Sequence, residues 1–285
     1  MTIDEAHRQL ISQLGTLYDD REAATITSMV MEKLTGMDRS LRVIHKTDPV
    51  NESGIVLFQR YMEELMEHRP VQYVLAEAWF AGLKFYVDEK VLIPRPETEE
   101  LVDWVLADTP SPGPDFKALD IGTGSGCIPV SIGKKLPGIQ MMACDISPDA
   151  LEIARKNSMD NQVRVNFFLC DIRDPASWEN MPSQDLIVSN PPYIPEKQKD
   201  LLDNLVKNFE PALALFVPDD DPIIFYKLIG RFAQKKLLPD GKLFLEIHHD
   251  FAKEIVLWYQ QNGFSVELRK DLSGKNRMIR AQFFK

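Results

Sequence analysis

The segment Asn190-Pro191-Pro192-Tyr193 closes the apolar run Asp185-Leu-Ile-Val-Ser189 and combines residue types able to hold a planar NH2 group. Two prolines fix the backbone and leave the Pro191 carbonyl without a helix or sheet partner. That oxygen and the Asn190 side-chain oxygen are two acceptors for the two hydrogens of one nitrogen. Tyr193 offers a flat face for a conjugated group to stack on. Such a nitrogen is a poor nucleophile because its lone pair is delocalised, so turning the lone pair toward an electrophile is useful catalysis. The methyl of a sulfonium is such an electrophile. A proline-rich turn after a strand is the plainer alternative.

A second constellation lies upstream. Asp120-Ile121-Gly122-Thr123-Gly124-Ser125-Gly126 is a glycine-rich turn after an apolar strand, which lets a ligand approach bare backbone. Position 127 is Cys, so the third glycine of the dinucleotide fingerprint is missing, and so is the Lys of a P-loop. Pyrophosphate is therefore not its obvious ligand, and Asp120 ahead of the glycines suits positive charge. Asp145 ends the next strand, near the ~20-residue offset at which an acid accepts from ribose hydroxyls. Capping the following helix is its other reading, shared with Ser147. Asp171 follows the third strand and could accept from an adenine amino group, with Ile172 against the ring, or could simply form a turn. Glycine loop plus two acids, without a phosphate site, describes an adenosine pocket that fits S-adenosylmethionine, leaving S-adenosylhomocysteine as product.

The surrounding pattern says what positions these residues. From Lys117 onward strands and helices alternate: strands at Lys117–Ile121, Ile139–Asp145, Val163–Leu169, Asp185–Ser189 and Lys242–Ile247, with helices at Cys127–Leu136, Pro148–Ser158, about Pro222–Lys236, and Phe251–Asn262. Such alternation predicts an α/β, doubly wound, mostly parallel sheet whose strand ends share one rim. Two final strands, Ser265–Arg269 and Arg277–Phe284, have no helix between them and should form an antiparallel hairpin at one edge. The start reads as a small helical bundle over residues 1–76. Thr2 and Glu5 make a capping box, a second helix runs from about Asp20 to Gly36, and a third from Asn51 to His68 stops at Pro70. Residues 77–96 read as a β-hairpin linker turning at Val87–Lys90, and residues 97–285 as the catalytic domain.

The 285 residues are 44% hydrophobic and 27% charged, ordinary for a globular chain and against disorder. The longest uncharged apolar run, Pro211–Pro218, is far short of the ~18 residues of a membrane helix. The N-terminus has no export signal, and the expectation is a cytoplasmic protein with no membrane partner. Cys127, Cys144 and Cys170 read as buried free thiols, and the five histidines show no metal-ligand spacing, so no metal is expected. Net charge is −10 without a basic stripe, so no direct nucleic-acid partner is expected.

Pro70-Val-Gln-Tyr73, Leu92-Ile-Pro-Arg-Pro-Glu-Thr-Glu99, the 120–126 loop and Ser189-Asn-Pro-Pro-Tyr-Ile194 stand in one order. In these motifs the chain resembles the HemK/PrmC-type release-factor glutamine methyltransferases over nearly its whole length. The resemblance implies a Rossmann-like class I S-adenosylmethionine-dependent methyltransferase domain behind a helical domain that recognises peptide chain release factors. It also implies methylation of the glutamine in the factor's Gly-Gly-Gln loop. By it, Gly122, Thr123, Gly124, Ser125, Gly126, Asp145, Asp171, Ile172 and Asn190 contact the cofactor, while Asn190, Pro191, Pro192 and Tyr193 hold the glutamine amide. The chain departs from the family pattern at Ala76, often Gly, at Phe216–Pro222, and at Glu246-Ile-His-His-Asp250, where a Glu-Ile-Gly type motif is usual. Asn-Pro-Pro-Tyr alone also occurs in enzymes that methylate amino groups of adenine or guanine. A nucleic-acid methyltransferase and a non-enzymatic cofactor-binding scaffold are the alternatives.

Overall fold

The computed structural model describes residues 1–201 and 204–283 and separates into two compact units. The first holds residues 1–77 together with the short segment 204–209, and the second holds the remainder.

In the first unit α1 (Ile3–Leu14) opens with the expected capping box, Thr2 and Glu5 each accepting from the other's backbone N–H. Helix α2 (Asp20–Thr35) is capped by Asp19 and stopped by Gly36 in the left-handed conformation. Two short helices escape a periodicity reading because they are under two turns long: α3 (Arg39–Ile44) and α5 (Val71–Leu75), on either side of α4 (Glu52–Met66). α4 ends at Met66, before Pro70, which stands as the N-cap residue of α5. Leu10, Leu14, Ile26, Val30, Phe58 and Leu65 form a buried core for the bundle. Ala76 caps α5 at φ 52°, a left-handed value that explains why glycine suits this position.

The hairpin belongs by its packing to the second unit, and it turns earlier than expected. Strands β1 (Ala78–Phe80) and β2 (Leu83–Phe85) meet at Ala81-Gly82, both at positive φ, the geometry of a two-residue turn that matches strand twist. Lys90–Ile93 is not a strand: Val91 and Ile93 are buried, but along irregular chain.

The second unit continues with α6 (Pro96–Asp108), β3 (Lys117–Ile121), α7 (Cys127–Lys135), β4 (Gln140–Asp145), α8 (Pro148–Asp160), β5 (Asn166–Leu169) and β6 (Gln184–Ser189). Beyond β6, β7 (Ile194–Pro195) pairs in parallel with β8 (Phe216–Val217), which follows α9 (Asn204–Phe209) and α10 (Ala212–Leu215). Then come α11 (Ile224–Lys236), β9 (Leu237–Glu246), α12 (Ala252–Gln261), β10 (Phe264–Lys270) and β11 (Asn276–Phe283). Phe284, the last residue of the expected final strand, lies outside the described residues.

Seven strands run in the order β10-β11-β9-β6-β3-β4-β5, parallel from β9 to β5 and antiparallel where β11 pairs with β9 and β10. The fold is thus the α/β doubly wound one, with the hairpin at one edge. Alternation along the strands feeds both faces: Leu119, Ile187, Leu243 and Leu245 join α11 and α12, whereas Ala118, Leu186, Val188 and Phe244 join α6 and α7. Among the described residues, no helix is long and apolar enough to cross a membrane. All three cysteines are free and buried.

Candidate active site

The chain leaves β3 toward β4 on one side and returns to β6 on the other, so the crevice opens at this switch point. Ser189 Oγ donates to the Ile121 carbonyl at 2.6 Å and locks the two strand ends together. The carboxyl ends of β3, β4, β5 and β6 surround a cleft of about 980 Å³, its open mouth included. It brings Gly122, Gly124, Asp145, Asp171, Ile172, Asn190, Pro191 and Pro192 onto one surface. Sequence reasoning missed the opposite walls, Val91 and Leu92 after the hairpin and Leu213, Phe225 and Ile229 from the later helices. Arg95 bridges to buried Glu210 at 2.5 Å, tying the approach to α6 to the chain that leads into the Leu213 wall.

A side chain at Gly122 or Gly124 would occupy open space, so these two leave a bare cradle. Gly122 and Thr123 both donate to the Cys144 carbonyl, Gly124 donates to Asp145, and Gly126 donates to the Thr123 carbonyl. These four amides are spent within the loop and are not offered to a phosphate. Gly126 serves packing instead, since a Cβ there would meet Ala154 at 3.1 Å. Buried Asn157 donates to the carbonyls of Ser125 and Tyr86 at 2.9 Å, fastening the loop to the hairpin's exit.

Asp120, Thr123 and Ser125 do not line the cleft; they are buried beneath the loop, and neither Asp120 oxygen has a hydrogen-bond partner among the described residues. Burial pushes the Asp120 carboxyl up to about 7, and the charge of Asp145 adds to the rise. Asp145 accepts from Gly124 N–H at 2.8 Å and Ser147 N–H at 2.9 Å, while Ser147, not Asp145, caps α8 through Ala150. Burial raises the Asp145 carboxyl against those backbone donors. Asp171 is held by Arg173, whose Nε and Nη2 approach it at 2.9 and 2.8 Å, and this pairing lowers its carboxyl below the usual range. An adenine amino group would have to share that carboxylate.

Around Asn190 the structure assembles partners from three elements. Asn190 Nδ2 donates to Thr98 Oγ1 at 3.1 Å, Thr98 donates to Glu246 Oε2 at 2.6 Å, and Tyr193 donates to Glu246 Oε1 at 3.1 Å. Thr98 sits in the first turn of α6, Glu246 ends β9, and both are buried. Tyr193 therefore lies behind the cleft, its hydroxyl on Glu246 and its ring edge-on to His248 at 5.7 Å, rather than on the cleft lining as a stacking face.

Residues 5–75 match the PrmC N-terminal domain and residues 104–214 the Methyltransferase small domain. The release factor glutamine methyltransferase of Flavobacterium psychrophilum is 36% identical over 99% of this chain and all of that protein. That of Bacteroides thetaiotaomicron is 37% identical over 94% of this chain and 95% of its own. The chain belongs to the release factor glutamine methyltransferases. Among solved structures, the catalytic domain of hMettl16 shares the fold, with TM-score 0.54 and 16% identity over 82% of this chain and 83% of that one.

In this release factor glutamine methyltransferase, His248 and His249 lie inside the Glu246–Asp250 motif that opens with Glu246. They stack nearly parallel, 11° apart at 4.9 Å, and one ligand-type atom from each of His248, His249 and Asp250 lies within 4.8 Å of the others, a grouping that could hold a metal ion and that the spacing of the histidines did not lead one to expect. Burial, then the neighbouring His249, lowers the His248 pKa, so a neutral ring backs Tyr193. Asp145→Ala is expected to cost roughly 1.5 to 3 kcal/mol of S-adenosylmethionine binding by calorimetry, the scale of charge-assisted hydrogen bonds. Unchanged affinity with a lower melting temperature would instead assign Asp145 to holding the Gly124 loop.

Proposed function

We propose that the protein methylates the side-chain amide nitrogen of the glutamine in the Gly-Gly-Gln loop of peptide chain release factors, with S-adenosylmethionine as methyl donor. The observation that carries this is the state of Asn190. The single Thr98 hydroxyl proton is given to Glu246, so the Thr98 oxygen must accept from Asn190, which leaves Asn190 Oδ1 as a free acceptor at the cleft. With the Pro191 carbonyl it can hold an amide NH2 by both hydrogens.

The cleft suits the cofactor. Gly122 and Gly124 leave room for it, Asp145 offers a carboxylate for ribose, Ile172 an apolar contact for adenine, and Asp120 an unpaired buried carboxyl beneath. When bound, the cofactor supplies a methyl group on a sulfonium, which needs no metal to be electrophilic. Asn190 and Pro191 orient the amide nitrogen, and Pro192 keeps that backbone rigid. Tyr193 acts from behind through Glu246. The proton leaves the nitrogen for water once the N–C bond has formed.

Residues 1–76 are proposed to choose the release factor, residues 77–96 to link, and residues 97–285 to carry the chemistry. A substrate that works on the ribosome puts the reaction in the cytoplasm. Incubation with labelled cofactor and purified release factors, with nucleic acids as controls, should label only the factor, and mass spectrometry should find one methyl on the loop glutamine. Label on nucleic acid would support the amino-group alternative, which the net charge of −10 disfavours.

A further inference from the structure

We infer that Thr98 and Glu246 are positioning residues for methyl transfer, acting by fixing which end of the Asn190 amide faces the substrate. The inference rests on the amide-clamp reading of Asn190 and adds to it two residues that touch neither substrate nor cofactor.

An asparagine side chain is nearly symmetric in shape but opposite in polarity at its two ends. Turned one way it offers an acceptor to the substrate NH2, and turned the other it opposes donor to donor. A neighbouring hydroxyl alone does not choose, because it can donate or accept. The choice is made by Glu246, a group with acceptors on both oxygens. It takes the Thr98 proton at 2.6 Å and the Tyr193 proton at 3.1 Å, so the Thr98 oxygen can only accept from Asn190.

Thr98 and Glu246 are about 2% and 1% exposed, and burying a carboxylate costs free energy that its hydrogen bonds only partly offset. Burial accordingly raises the Glu246 carboxyl, while Thr98, Tyr193 and the charge of Arg277 pull it back. Thr98 does not cap α6, where the cap position is Arg95 and no side chain bonds the helix end. The network connects β9, the start of α6 and the β6 exit, and it reaches the cleft through the Asn190 amide.

Full-length Thr98→Val and Glu246→Gln are the tests. Valine matches the shape of threonine but has no hydroxyl, so the Asn190 amide loses its reference. Glutamine can donate to the Thr98 oxygen and free the Thr98 proton for Asn190 Oδ1, inverting the clamp. Each should lower single-turnover methylation of a release factor about 10-fold or more with S-adenosylmethionine affinity near that of the parent, while Thr98→Val, which leaves a buried Glu246 oxygen unpaired, should also melt lower. Thr98→Ser should restore most of the rate lost in Thr98→Val. In an Asn190→Ala background, adding Thr98→Val should change the rate no further, because the group it orients is gone. Parent-like rates in both single variants, or an equal further loss in the Asn190→Ala background, would overturn the inference. Near-normal turnover in Asn190→Ala alone would overturn the clamp itself, a distinguishable result.

Discussion

Asn190→Ala should leave S-adenosylmethionine affinity within a few-fold and lower turnover by about 10²-fold or more, the scale of losing one preorganised polar group at a reacting centre. The asymmetry follows from where the side chain is used. Nδ2 is spent on Thr98 at 3.1 Å, so what alanine removes from the cleft is the acceptor Oδ1. The cradle at Gly122 and Gly124 and the carboxylate of Asp145 stay in place, so the cofactor loses little. The Pro191 carbonyl remains but holds only one hydrogen of the substrate NH2, and the lone pair is free to turn away from its target. Calorimetry beside single-turnover assays checks both halves. Equal losses in affinity and rate would make Asn190 a cofactor ligand first and a clamp second.

Asp120→Asn should show opposite effects on stability and on cofactor selection. The Asp120 carboxyl is raised from its ordinary 3.8 to about 7 by burial. The folded state therefore binds this proton more tightly than the unfolded chain. The resulting stability is fully present below pH 4 and is lost as pH rises through about 7, by up to about 4 kcal/mol. Asparagine removes that loss, so the ligand-free variant should melt higher than the parent at pH 8, with no such gain at pH 4. The ionised carboxyl is also negative charge beneath a site proposed for a cationic cofactor. The variant should thus lose affinity for S-adenosylmethionine more than for the uncharged-sulfur product S-adenosylhomocysteine. For the parent, affinity for the cation should strengthen as pH rises from about 6 to 8, and the variant should lack this component. A parent melting curve with the same pH dependence as the variant would show that Asp120 is not the group responsible.

What could be read along the chain was whatever neighbouring residues decide together. Alternation of apolar strands with helical periods predicted the doubly wound sheet, because a strand covered on both faces and a helix covered on one leave different periodicities. The glycine loop, Asp145 and Asn190-Pro191-Pro192 were legible because strand ends place them on one rim whatever the loops do. Short-range geometry was less secure: the hairpin turns at Ala81-Gly82 because that pair takes positive φ, while the polar Asp-Glu-Lys sequence marks a turn with no strand after it.

Tertiary structure alone decided the partners. Thr98, Asn190 and Glu246 are separated by 92 and 148 residues in their two contacts with Thr98, and no periodicity encodes that three elements meet at one hydroxyl. It placed Asp120 under the cleft instead of in it, gave Asp171 to Arg173, and moved Tyr193 from a stacking face to a support behind Glu246. Residue types along a strand state which face is buried and which chemistry is available. Which buried polar group satisfies which other depends on packing across the sheet, and that pairing sets the direction in which Asn190 presents its amide.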